Sequence, residues 1–250
     1  EGGFWHKMVY PDQMWLDGLY MGAPFYAEYA LRYNRPDDFS DVVNQFLVVA
    51  SHTYDPATGL YRHAFDASGK MAWADSVTGQ APHAWGRAIG WCTMAIVDVL
   101  DFLPRDQPGR DELTGILQGI VNKLSEIQDP ATGGWYQVPD RSGAEGNYIE
   151  TSCTAMFAYS IFKGVRMGYL DGKYLAVAEK AYLGLLDNFI VTNPDGTVSM
   201  KNICGVAGLG GNPYRDGSYE YYIGEVIRDN DPKGVGPFIM ASLEYEMIRK

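Results

Sequence analysis

Apolar residues recur every three to four positions along most of the chain. This spacing predicts helices over 12–33, 38–53, 84–104, 110–128, 148–168, 173–190 and 236–249. The segment 110–128 gathers Leu113, Ile116, Leu117, Ile120, Val121 and Leu124 on one face and sets its charges opposite, as expected of a helix half exposed to water. The segment 148–168 is apolar on nearly all sides, as expected of a helix packed all round. Alternation of the two kinds predicts inner helices wrapped by an outer layer. Between helix pairs a short motif repeats. Asp55-Pro56-Ala57-Thr58-Gly59-Leu60-Tyr61 returns as Asp129-Pro130-Ala131-Thr132-Gly133-Gly134-Trp135-Tyr136, and more weakly as Asn193-Pro194-Asp195-Gly196-Thr197-Val198. Each copy has turn chemistry followed by strand-like residues. Repeats of this length predict stacked helical hairpins with a small ribbon at one end.

The opening Glu1-Gly2-Gly3-Phe4-Trp5-His6 matches the tail of that motif, so a strand is expected from Gly3 to His6. About seven helices is an odd number for a closed ring of hairpins. The sequence is therefore expected to be one domain over 1–250 that lacks an N-terminal segment, a natural short protein with an open ring being the alternative.

The length suits one substantial core, and the 46% hydrophobic, 20% charged composition is that of an ordinary globular chain. A net charge of −11 argues against nucleic acid as a partner and requires that any anionic substrate be met by locally placed cations. No run is long and apolar enough for a membrane span. Cys92, Cys153 and Cys204 are odd in number and far apart, so neither a disulfide framework nor a zinc site is indicated, and a reducing, cytoplasmic setting is the expectation. No tight metal-ligand spacing occurs, and no cofactor is expected.

Candidate chemistry centres on Asp17, set among Trp15, Leu16, Leu19, Tyr20, Met21 and Phe25 in a helix that Asp12 is expected to cap. Burial in such company raises a carboxyl pKa, which suits a general acid near neutral pH; the alternative is a solvated or capping Asp. His6 and His63 end corresponding ribbons, which predicts one shared rim. Trp85, Arg87 and Trp91 open a helix, with Arg87 and Trp91 on one face. The arginine is expected to be held by the tryptophans and to offer its fork to a carboxylate; a core Trp pair with a surface Arg is the alternative. Glu150 is a second candidate buried carboxylate, or simply a favourable charge in a helix's first turn. Cys204-Gly205-Val206-Ala207-Gly208-Leu209-Gly210-Gly211 is no phosphate loop; its glycines suit a loop running close to a cleft, with Lys201 and Arg215 flanking it.

The stretches WLDGLYMGAPF, PHAWGRAIGW, NYIETSCTAMFAY and GVAGLGG resemble family 105 of the glycoside hydrolases, the unsaturated rhamnogalacturonyl hydrolases, over nearly the whole chain. The resemblance implies an all-α (α/α)6 barrel, six inner helices wrapped by six outer ones, of which this chain would be the C-terminal part. It implies hydrolysis, by hydration of the C4=C5 double bond, of unsaturated galacturonyl-rhamnose fragments of pectin. It implies Asp17 as the acid/base, and His6, Trp15, Met21, His63, Trp85, Arg87 and Trp91 as residues lining the unsaturated sugar's subsite. The family's second Asp has no counterpart here, so this chain alone is expected to have little or no activity. Kept beside this reading are an unsaturated glucuronyl hydrolase, a sugar epimerase or isomerase using His6 and His63, and a binding module with Trp85 and Trp91 as its platform.

Overall fold

A computed structural model describes residues 1–250, and the expected two-layer helical arrangement is present. The helices are α1 (Leu16–Arg32), α2 (Asp38–Thr53), α3 (Gly86–Val99), α4 (Arg110–Ile127), α5 (Thr151–Arg166), α6 (Leu175–Phe189), α7 (Tyr219–Gly224) and α8 (Pro232–Ile248). α1, α3, α5 and α8 pack side by side as an inner row. α2, α4 and α6 lie outside, α2 against α1 and α4, and α6 against α5. The core runs between the layers. α3 and α5 bury most of their residues, whereas α4 buries only Leu113, Leu117, Ile120, Val121 and Leu124, the stripe its periodicity marks. α1 and α8, at the ends of the row, leave apolar side chains in water, Phe25 on α1 and Leu243 on α8 among them.

Eight helices rather than seven are present, because the six-residue α7 is too short to show a helical period. Asp231 caps α8 through Lys233 N and Pro232 sits in its first turn, so this helix starts ahead of the expected residue 236.

Four two-stranded ribbons decorate the row: β1 (Gln13–Trp15) with β4 (Ala64–Asp66), β2 (Tyr54–Asp55) with β3 (Leu60–Tyr61), β5 (Ile190–Thr192) with β6 (Val198–Met200), and β7 (Ile203–Cys204) with β8 (Ile227–Arg228), all antiparallel. The repeated motif forms turns of one design. Asp55 accepts from Ala57 N and Thr58 Oγ1, Asp129 from Thr132 N and Oγ1, and Asp195 from Thr197 N and Oγ1, with Gly59, Gly133 and Gly196 at positive φ.

Two expectations at the chain's start are corrected. Gly3 to His6 form no strand; Phe4 N donates to Gln45 Oε1 and His6 N to Gln13 O. Asp12 caps nothing: it adopts φ 60°, residues 13–15 are strand, and α1 begins after Trp15 with no side-chain cap. The apolar spacing of a helix runs on through 13–15, but the backbone there is claimed by pairing with Ala64–Asp66.

Candidate active site

The β1–β4 pairing builds the site. Trp15 stands opposite Ala64, and the ladder extends by one bond, Leu16 N donating to His63 O at 3.1 Å. That bond sets the first turn of α1, with Asp17, beside residue 63. His63 N donates to His83 O at 3.1 Å, which ties the same residue to the entry of α3. Below it, Ala84 N and His83 Nδ1 donate to Asp140, and Trp85 Nε1 and Gly86 N donate to Gln137.

His63 is fully buried. Its Nε2 lies 3.1 Å from Asp17 Oδ2 and its Nδ1 lies 2.7 Å from the Tyr222 hydroxyl. The Asp17 side chain is 14% exposed, so the pair meets solvent only through the carboxylate. Trp15 stands edge-on to His63 at 5.2 Å on one side, and Trp85 packs at 4.8 Å on another. His6 stacks on the far face of this group, parallel to Trp15 at 4.2 Å, with Tyr10 completing the stack. His6, though it ends no ribbon, and His63 therefore both pack against Trp15.

Burial alone would raise the Asp17 pKa, but the His63 charge and hydrogen bond, helped by His6, hold it below the ordinary carboxylate value. The expectation of a raised pKa is corrected: a buried carboxyl against a hydrogen-bonded imidazole follows its partner rather than its solvent. His6 moves the other way. Burial pushes it from 6.5 down to about 4, opposed by Asp17 and reinforced by Lys7, His63 and Arg215. Its Nδ1 is buried with no hydrogen-bond partner. Because the unfolded chain takes up this proton at higher pH than the folded chain, stability falls as pH drops from 6.5 towards 4. The urea midpoint is expected to decline over that window, and to decline less in His6→Gln.

Arg87 is held over a tryptophan and meets a carboxylate, as expected, but that carboxylate is Glu150 of the protein itself. Arg87 is 1% exposed and wholly committed to protein: Nε to Ser152 Oγ at 2.7 Å, Nη1 to Gly205 O at 3.2 Å, and Nη2 to Glu150 Oε1 at 3.3 Å and to Cys204 O. It sits over the Trp85 ring at 5.4 Å, as expected, but its fork braces the glycine-rich loop from beneath and has no donor group facing solvent for a sugar. Glu150 is fully buried, as the carboxylate reading expects, and as the N-cap of α5 it accepts from Ser152 N and Cys153 N. Trp85 is 1% exposed and Trp15 5%; they wall His63 and offer no open ring face. Trp91 stacks on Tyr20 at 4.8 Å. Met21 is exposed and, with Phe4, Trp5, His6 and Trp15, borders an apolar cavity of about 220 Å³. A wider cavity of about 710 Å³ runs past Trp5, Asp12 and the 66–69 turn. Neither cavity is lined by Asp17 or His63.

Tyr222, Tyr10 and Gln137 were not singled out by sequence reasoning. Ser218 caps α7 through Tyr221 N, a readable start signal, but nothing in Tyr219-Glu220-Tyr221-Tyr222 tells which tyrosine turns inward.

The family model that matches this sequence is described as Glycosyl Hydrolase Family 88, over residues 1–249. The chain belongs to glycosyl hydrolase family 88. A solved family 105 glycoside hydrolase from C. acetobutylicum ATCC 824 superimposes with a TM-score of 0.96 at 47% identity, covering 99% of this chain and 69% of that one. Protein Atu3128 of Agrobacterium fabrum (strain C58 / ATCC 33970) is 39% identical over 239 residues, which takes in 92% of this chain and 100% of that protein. The unsaturated rhamnogalacturonyl hydrolase YesR of Bacillus subtilis (strain 168) is 29% identical over 198 residues, 78% of this chain; the chain spans 54% of YesR. With these likenesses the helical row is identified as part of an (α/α)6 barrel and the protein as a glycoside hydrolase. No helix is long and apolar enough to cross a membrane.

Proposed function

We propose that this family 88 chain hydrates the C4=C5 double bond of an unsaturated uronyl residue linked to rhamnose, with Asp17 as the acid and base. The observation that carries the reading is the Asp17–His63 pair at 3.1 Å, held at the start of α1 beside the His6–Trp15 stack. YesR's name supports the choice of substrate.

The steps close on one carboxyl group. The Asp17 O–H bond breaks as its proton goes to C4, and the double-bond electron pair becomes the new C4–H bond. Positive charge at C5 is shared with the ring oxygen. Water adds its oxygen to C5 and returns a proton to Asp17. The resulting hemiketal opens, and the aglycone leaves with its own oxygen as the C1 hemiacetal collapses. A carboxylate next to the developing cation stabilises it electrostatically, and general acid–base catalysis of this kind contributes about 10²–10⁴-fold. With Arg87 committed below, Lys7 and Arg215 are the cations whose charge reaches His6. Arg215 is held by Gly210 O at 2.8 Å and the Tyr10 hydroxyl at 2.9 Å. We assign the uronate carboxylate to their side of the stack.

Against an epimerase stands His6, whose low pKa keeps it neutral and whose Nδ1 is buried without a partner. Against a simple binding platform stand Trp85, which is buried, and Trp91, which is covered by Tyr20. Unsaturation at C4=C5 removes the stereocentre that separates galacturonate from glucuronate, so selectivity rests on the leaving sugar. The test is therefore turnover of unsaturated uronyl-rhamnose against unsaturated uronyl-hexosamine, followed by loss of the double bond's ultraviolet absorbance. Faster consumption of the rhamnoside supports the reading; preference for the hexosamine conjugate moves the chain to the glucuronyl-hydrolase reading.

A further inference from the structure

The geometry points to Tyr222 as a positioning residue for catalysis: its hydroxyl fixes the His63 ring so that Nε2–H faces Asp17. The catalytic consequence rests on the function proposed above; the structural claim does not.

An imidazole in a closed pocket has two ring orientations that fill nearly the same volume, and they exchange nitrogen and carbon positions. Only one of them serves Asp17. His63 has two polar contacts, one per nitrogen: Asp17 Oδ2 at 3.1 Å from Nε2 and Tyr222 Oη at 2.7 Å from Nδ1. A turned ring loses both bonds and leaves both partners facing carbon, which is costly for buried polar groups. The pocket's other walls, Trp15 and Trp85, are aromatic and supply no orientation of their own. Tyr222 thus supplies the second contact that makes the ring's setting unique.

Tyr222 is itself rigid. It is fully buried, its backbone N donates to Ser218 O, and its carbonyl accepts from Gln137 Nε2 at 3.3 Å. Its ring lies against Trp85 at 6.3 Å. Burial pushes its phenol well above the ordinary value, so it keeps its proton at every working pH. That proton is donated to an unprotonated Nδ1, leaving the imidazole proton on Nε2 and directed at the Asp17 carboxylate. When His63 instead carries both protons, the same hydroxyl rotates and accepts from Nδ1–H. Nε2–H faces Asp17 in either case. The third member of the group orients the second, which serves the first. Other titratable groups that bear on the trio are His6, which acts on Asp17, and Tyr221, Asp140 and Asp216, which act on Tyr222.

The test combines Tyr222→Phe, which keeps the ring and removes only the hydroxyl, with ¹⁵N spectra of the four histidines, His63 being assigned through His63→Gln. The wild type is expected to show His63 protonated at Nε2 at neutral pH, and Tyr222→Phe to show a mixture of ring states. On the unsaturated uronyl-rhamnoside, kcat is expected to fall about tenfold or more with KM little changed, and the pH profile of kcat/KM to shift, since a merely structural loss would leave that profile in place. A Tyr222→Phe protein with the wild-type spectrum and the wild-type pH profile overturns the inference, whatever its melting temperature. Should the variant fail to fold, the wild-type spectrum decides: a His63 bare at Nε2 overturns it. Absence of turnover in the wild type sinks the proposed function, while the spectra still judge the role of Tyr222.

Discussion

Asp17→Asn is expected to abolish hydration of the unsaturated uronyl-rhamnoside, lowering kcat by about 10²–10⁴-fold with KM close to wild type. The amide has no proton to give to C4 and is too weak a base to take one from water. Its oxygen can still accept from His63 Nε2–H at the position of Oδ2, so the loss is chemical rather than architectural. Circular dichroism and the melting temperature check that the fold is intact. A variant that keeps more than a tenth of the rate removes Asp17 from the mechanism. The pH profile carries the same claim. The acid form is the reactive one, and His63 holds the Asp17 pKa below the ordinary carboxylate range. kcat/KM is therefore expected to rise as pH falls towards that value. His63→Gln removes the hydrogen-bonded imidazole that offsets burial at Asp17, so its profile should move to higher pH.

The second large effect is on stability. Arg87→Met is expected to cost about 3–5 kcal/mol, because it leaves Glu150 charged and buried without its cation. It also strips donors from Gly205 O and Cys204 O, which hold the glycine-rich loop over α3 and α5. Denaturant unfolding measures the loss. Adding Glu150→Gln should recover part of it, since the uncompensated charge goes too. If Arg87 instead served the substrate's carboxylate, Arg87→Met would raise KM and leave the unfolding midpoint in place. The two results cannot be confused.

These expectations mark where the sequence was informative. Asp17, His6 and His63 were legible as one group because His6 and His63 follow copies of one sequence motif and Asp17 interrupts an apolar helix start. The repeat encodes the turn with its own residues, Asp55 and Asp129 accepting from the threonine three positions on. Layering was legible for the same kind of reason, since a stripe such as Leu113–Leu117–Val121–Leu124 is local information. What was not legible is long-range. Tyr222 reaches His63 across 159 positions, and no spacing rule links them. Arg87 looked like a ligand because an arginine between tryptophans commonly faces outward. Its acceptors are two loop carbonyls, Glu150 and Ser152, all more than sixty residues away, which no motif spells out. Residues 13–15 failed as a helix because their partner, Ala64–Asp66, lies beyond α2. The Asp17 pKa was misjudged for the same reason: its burial can be guessed from its neighbours in sequence, but its hydrogen-bonded imidazole cannot.

Hydration differs from ordinary glycoside cleavage in one visible respect: the double bond is consumed in the step that dooms the glycosidic bond. The most direct measurement follows both events at once on unsaturated uronyl-rhamnose, the double bond by its ultraviolet absorbance and free rhamnose by chromatography. Double-bond loss in step with rhamnose release, with both abolished in Asp17→Asn, is the outcome expected here. Rhamnose released while the absorbance persists would mean displacement at C1, and would contradict it.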